Sequence, residues 1–186
     1  MKRLLADQTA AQATAAREEI QSLLEAIQEL DQQAFVAMPD AAALYGKYLR
    51  RVVGDPQRAI EVYAIALNAN PDSYYLADLL GQTQVELDRK DDARKTYAQA
   101  LDIINRLGES NVWTLATAAS ACLVLGDLDA TRRHLIAIAA LGRRQSEIDS
   151  IQGGLREIAQ RLGIAQSVLD ELLLATTSRS NSDGVQ

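Results

Sequence analysis

Few residues in this chain are equipped for chemistry, and those few sit in settings that favour packing over reaction. The sequence holds one histidine, His134, and one cysteine, Cys122. A zinc site needs several His or Cys ligands at short spacing, so one of each cannot seat it. Cys122 lies among Ala118, Ala119, Ala121 and Leu125, where a small apolar side chain suits a helix interface. No glycine-rich phosphate loop leads into Lys-Ser or Lys-Thr, and no serine stands in a nucleophile elbow. The carboxylate pairs Glu18-Glu19 and Asp91-Asp92 fall at helix starts or on solvated faces, where they favour the helix dipole. Among basic groups, the doublets Arg132-Arg133 and Arg143-Arg144 could draw an anion, and Arg132 and Arg133 are the candidate anion contacts. The expectation is a non-enzyme with no cofactor and no metal.

Charge and composition narrow the partner. Nineteen basic against 25 acidic residues leave a formal charge of −6, which opposes a phosphate backbone, so nucleic acid is disfavoured. Residues 1–36 carry 3 basic and 6 acidic groups, residues 111–144 carry 4 and 2, and residues 145–186 carry 3 and 6. A single cysteine excludes an intrachain disulfide. The apolar runs are too short to span a bilayer, and polar Asp7, Gln8 and Gln12 interrupt the start where a signal peptide needs an apolar stretch. A cytoplasmic protein with no membrane span is expected, with a protein or peptide as partner and a larger complex as one setting.

The elements that must position any site are helices. Aromatic residues are only 4% while alanine and leucine dominate, which suits closely packed helices. Sliding the sequence by 34 residues places Ala59 on Ala93, Tyr63 on Tyr97, Ala66 on Ala100 and Leu67 on Leu101. A third copy follows after 37, with Ala130 and Ala137 on the alanines and His134 at the tyrosine position. Each set is preceded by an amphipathic stretch, residues 40–53, 73–88 and 111–125, so the unit is a helical hairpin. Small residues let the two helices of a hairpin approach, and a ring one turn away fills the remaining gap.

This pattern resembles the tetratricopeptide repeat over residues 40–141. Pro71 stands at the family's repeat-closing proline and Leu80-Gly81 at its leucine-glycine pair, while Lys47 replaces the small residue of the first copy and Asp88-Arg89-Lys90 lacks the usual turn glycine. The expected fold is all-α: a right-handed α-solenoid of three hairpins, 40–71, 73–106 and 111–141, within one domain, 1–176. A leading helix, 8–35, and C-terminal helices over 145–175 cap the two ends, and 177–186 forms a disordered tail.

Such solenoids commonly bind along the concave wall lined by the first helix of each hairpin. The repeat frame turns Tyr48 and Arg51, then Tyr75, Asp78, Gln82 and Glu86, then Trp113, Ala116 and Ser120 toward that wall. Mixed charge with aromatic anchors suits an extended peptide or a helix. Leu44, Tyr48 and Asp78 depart from the lysine, asparagine and arginine set with which family members hold acidic chaperone tails. A narrower similarity covers residues 59–163. Tyr74-Tyr75, the run Asn111 to Thr117 and the run Leu123 to Asp127 resemble the TRAF-binding or sensor-type tetratricopeptide domain, although Ser120 stands where that family has an acidic residue. The leading expectation is an adaptor or regulatory subunit that binds a protein or peptide through the concave wall. The alternatives are a secretion-type chaperone for an unfolded substrate and a ligand-sensing subunit of a bacterial stress or conflict signalling system.

Overall fold

The computed structural model describes residues 38–142 and 144–175, together with Glu18, Glu19, Ser22, Leu23 and Ala26. Those five are helical and exposed; the rest of the expected leading helix, Arg143 and the tail 177–186 lie outside the described residues. Among the described residues the chain is all-helical. Eight α-helices follow in order: α1 (Pro39–Tyr48), α2 (Pro56–Ala69), α3 (Tyr74–Glu86), α4 (Lys90–Leu107), α5 (Val112–Leu125), α6 (Leu128–Ala140), α7 (Gln145–Leu162) and α8 (Gln166–Leu174). A π-helical turn, Leu49–Val53, continues α1.

Local chemistry sets the helix ends. Asp55, Ser73 and Asp127 each accept a hydrogen bond from a backbone N–H three residues on, at 3.0, 3.3 and 2.8 Å. Asn111 and Thr114 form a reciprocal capping box at the start of α5. Gly126 ends α5 at φ 86°, a left-handed conformation that suits a residue without a Cβ. The turn between α3 and α4 has no glycine, and Asp88 takes the left-handed conformation there at φ 58°.

Packing follows the chain from α1 to α6, with each helix against the next, while α3 also touches α1 and α5. Within the first two pairs the close approach is built from glycine and tyrosine. A Cβ added to Gly46 would lie 2.2 Å from the Tyr63 ring, and one added to Gly81 would lie 2.7 Å from the Tyr97 ring. Both rings are fully buried. Gly46 is therefore the small residue of the first pair, one position before Lys47. It stands 13 residues before Ala59, whereas Gly81 stands 12 before Ala93. The π-helical turn lies inside the longer interval, and absorbing one extra residue is what such a turn does.

The C-terminal helices differ from the expected end cap. α7 packs on α5 and α3 rather than on α6, and α8 bridges α6 and α7. The stripe Ile148, Ile151, Leu155 and Ile158 is buried, and α7 lies on α3 and α5 of the row made by α1, α3 and α5.

Candidate interaction site

The row of α1, α3 and α5 forms a wall, and between it and α7 lies a cleft of about 840 Å³. Lys47 and Arg51 come from the α1 end, Tyr75, Asp78 and Gln82 from α3, Trp113, Ala116 and Ser120 from α5, and Ser150, Gly153, Gly154 and Glu157 from α7. A smaller cleft of about 340 Å³ adjoins it, bounded by Arg50, Arg51, Gln82, Glu86, Glu157 and Arg161. Residues distant in sequence thus meet because three helices stand side by side and a fourth packs on two of them.

Asp78 anchors the middle of the wall. Tyr97 Oη, reaching through from α4, donates to Asp78 Oδ1 at 3.2 Å, and Gln82 Nε2 donates to Oδ2 at 2.9 Å. Burial pushes the carboxyl up to about 6, against the opposing pull of these two donors and the nearby Arg50 charge. Tyr97 is raised well above the ordinary phenol range, first by burial and then by the adjacent carboxylate. The corresponding ring of the first pair lacks this arrangement: Ala43 stands 35 residues before Asp78, and the buried Tyr63 hydroxyl has no hydrogen-bond partner among the described residues. Burial accordingly raises the Tyr63 hydroxyl strongly.

Arg50 is the most heavily engaged charge. Its side chain is 8% exposed, and Nε pairs with Glu86 Oε2, Nη1 reaches Gln82 Oε1 at 3.4 Å, and Nη2 reaches Glu157 Oε2 at 3.5 Å. The planar guanidinium serves three acceptors at once, which an ammonium could not do. One side chain thereby ties the end of α1 to α3 and to α7.

Of the residues expected on the wall, Arg51, Tyr75, Asp78, Gln82, Trp113 and Ser120 line the larger cleft, and Glu86 lines the smaller. Trp113 is 51% exposed and Tyr75 37% exposed, whereas Ser120 is buried at the base. Tyr48 is placed differently: it is buried and its ring stacks with Tyr45 at 6.5 Å between centroids. The extra residue in the first repeat shifts the register by one, so Lys47 lines the larger cleft in place of Tyr48, while Arg50 lines the smaller one beside Arg51. Lys47 Nζ donates to Tyr75 Oη at 2.5 Å. Arg50 is the residue that sequence reasoning missed: the 35-residue offset between Gly46 and Gly81 sets Lys47 and Arg51 opposite Gln82 and Glu86, and Arg50 opposite the buried Val85.

Arg132 and Arg133 lie on α6, away from the cleft-lining residues. Arg132 Nη2 pairs with Glu171 Oε1 of α8, so its charge is engaged in holding the last helix. His134 is half-buried, its basicity lowered first by burial and then by Arg133. Cys122 is buried, and burial, with Asp127, raises its thiol. Among the described residues no group of three or more His, Cys, Asp or Glu side chains could hold a metal ion, and no helix is long and apolar enough to cross a membrane. No family model and no curated protein matches the chain.

Proposed function

We infer that this chain is a non-catalytic interaction module of tetratricopeptide-like hairpins, acting as an adaptor or regulatory subunit. Its α1–α3–α5 wall receives a segment of a protein partner. The observation that carries this reading is the pair of solvent-exposed rings, Tyr75 and Trp113, facing one cleft that the half-buried carboxylate of Asp78 also lines. Large rings left in water at a concave surface are the usual anchors of protein interfaces, because covering them removes much apolar area at little conformational cost. Asp78 and Glu157 together with Lys47 and Arg51 supply both signs of charge around the cleft, which fits a mixed peptide better than a uniformly anionic polymer. The Gly46–Tyr63 and Gly81–Tyr97 contacts support the hairpin assignment.

Affinity capture of the tagged full chain from its native cell, with mass spectrometry, tests the reading when repeated with Tyr75→Ala and Trp113→Ala together. The expected result is a stoichiometric protein that the double variant loses while its helical circular dichroism is unchanged. Retention of every captured protein by that variant would remove the cleft from the argument.

A further inference from the structure

α7 is seated on the proposed docking wall as a ligand would be, and three observations describe how. Its apolar stripe, Ile148, Ile151, Leu155 and Ile158, is buried at spacings of three, four and three residues, which is one face of a helix. Its polar anchor to the wall is Glu157, paired with the nearly buried Arg50 at 3.5 Å. Its middle is weakened by Gly153 and Gly154, the ninth and tenth residues of an 18-residue helix. A Cβ added to either glycine would meet nothing within 4 Å, so close packing among the described residues does not require them. Elsewhere in the fold the helical glycines Gly46 and Gly81 are each pressed against a ring, which makes the unpressed pair conspicuous. Each helix-interior glycine lowers helix formation roughly five-fold relative to alanine, so the pair weakens α7 about 20-fold.

We propose that α7 is a built-in, weakened occupant of the wall. The partner is then an amphipathic helix carrying the same aliphatic stripe and a carboxylate at the position of Glu157, which takes α7's place. This rests on the reading of the wall as a docking surface and names what docks there. A helix is favoured over an extended peptide because the wall already accommodates a helix along α3 and α5. A carboxylate is specified because Arg50, held by Glu86 and Gln82, points its remaining nitrogen at that position. The short connection between α6 and α7 contains Gly142 at φ 59°, and α8 bridges α6 and α7, so α7 leaving the wall opens the contacts of α8 as well.

The test uses a fluorescent synthetic peptide of residues 145–162 titrated into three full-length proteins. Apparent affinity for an added helix scales with the fraction of molecules whose own α7 is off the wall. Wild type binds measurably. Glu157→Arg, at a side chain 62% exposed, sets two cations against each other and binds more tightly. Gly153→Ala with Gly154→Ala binds about 20-fold more weakly than wild type. Hydrogen exchange on the same proteins gives an independent reading, with α7 amides slowed by a similar factor in the glycine variant while those of α3 are unchanged. No saturable binding to any of the three, or binding indifferent to the glycine changes, overturns the proposal. The two readings fail separately. If Tyr75→Ala with Trp113→Ala abolishes partner capture but the glycine variant captures as well as wild type, the docking wall stands and displacement of α7 is refuted. If peptide affinities follow the stated order while capture ignores Tyr75 and Trp113, displacement stands and the cleft reading falls.

Discussion

One substitution type, glycine to alanine inside a helix, should act in opposite directions at two sites, and the structure says why. At Gly46 the new methyl would lie 2.2, 2.4 and 2.8 Å from Cε1, Cζ and Oη of Tyr63, whose ring is completely enclosed. The ring cannot swing into solvent, so its neighbours must move with it. Overpacking of this kind costs about 1–3 kcal/mol, and three overlapping atoms on a rigid ring put it at the upper end. Alanine returns about 1 kcal/mol of helix propensity, leaving a net loss of about 2 kcal/mol. For a chain of this length, that loss lowers the melting temperature by about 4–8 °C. At Gly153 no such contact exists, so Gly153→Ala keeps only the propensity gain and should raise the melting temperature by about 2–4 °C. Thermal unfolding followed by circular dichroism or calorimetry measures both. Replacing Tyr63 by Leu in the Gly46→Ala background should make the combined loss smaller than the sum of the two single losses. A Gly46→Ala protein as stable as wild type would refute the close glycine–tyrosine approach, and with it the register assigned to the first pair.

Asp78 makes stability fall as pH rises. Its carboxyl titrates near 6 when folded and near 3.8 when unfolded, so between those values the folded chain holds more protons, and raising pH favours unfolding. Because the side chain is only partly covered at the surface, about 1–2 kcal/mol is expected. Asp78→Asn should gain that much relative to wild type between pH 4 and pH 7.5 in urea titrations. The two repeat tyrosines should respond oppositely to loss of the hydroxyl. Tyr97→Phe removes the bond to Asp78 and should cost about 1 kcal/mol, whereas Tyr63→Phe removes an unpartnered buried hydroxyl and should be neutral or stabilising by about 1 kcal/mol in the same assay. Arg50→Met should destabilise by about 2 kcal/mol and speed exchange of α7 amides, because Glu86 and Glu157 lose their shared cation; Arg50→Lys should recover less than half of that.

How much was legible depends on which physical signal each feature leaves. The helical character and the Ala59, Tyr63 and Ala66 register were readable because a packing contact repeated at a fixed period imposes the same residue types each time. Gly81 was readable for the same reason. Gly46 was not, because the π-helical turn at Leu49–Val53 places an extra residue between the two halves of the first pair, and Lys47 then occupies the position the period points to. The same slip put Tyr48 on the wall in place of Lys47. On α3 and α5, where no such turn intervenes, Tyr75, Asp78, Gln82, Trp113 and Ser120 come together at one cleft. The seat of α7 left no signal at all. An aliphatic stripe shows that a helix buries one face, and Ile148, Ile151, Leu155 and Ile158 would read the same against α6 as they do across α3 and α5.

The bridge between Arg50 and Glu157 joins positions 107 residues apart. From α1 to α6 each helix rests mainly on its sequence neighbours, so that part of the chain has the topology of a string, able to form from local encounters and to fray from either end. The α7 crossing turns the string into a ring. Closing a ring requires a long loop to be ordered before the contact is gained, which delays that step in folding. Once closed, α1 can fray only by opening contacts that α3 and α7 share. A helix seated across the wall therefore determines whether the molecule opens piecemeal or as a unit, and a partner that lifts it off would change the cooperativity of the whole chain along with access to the wall.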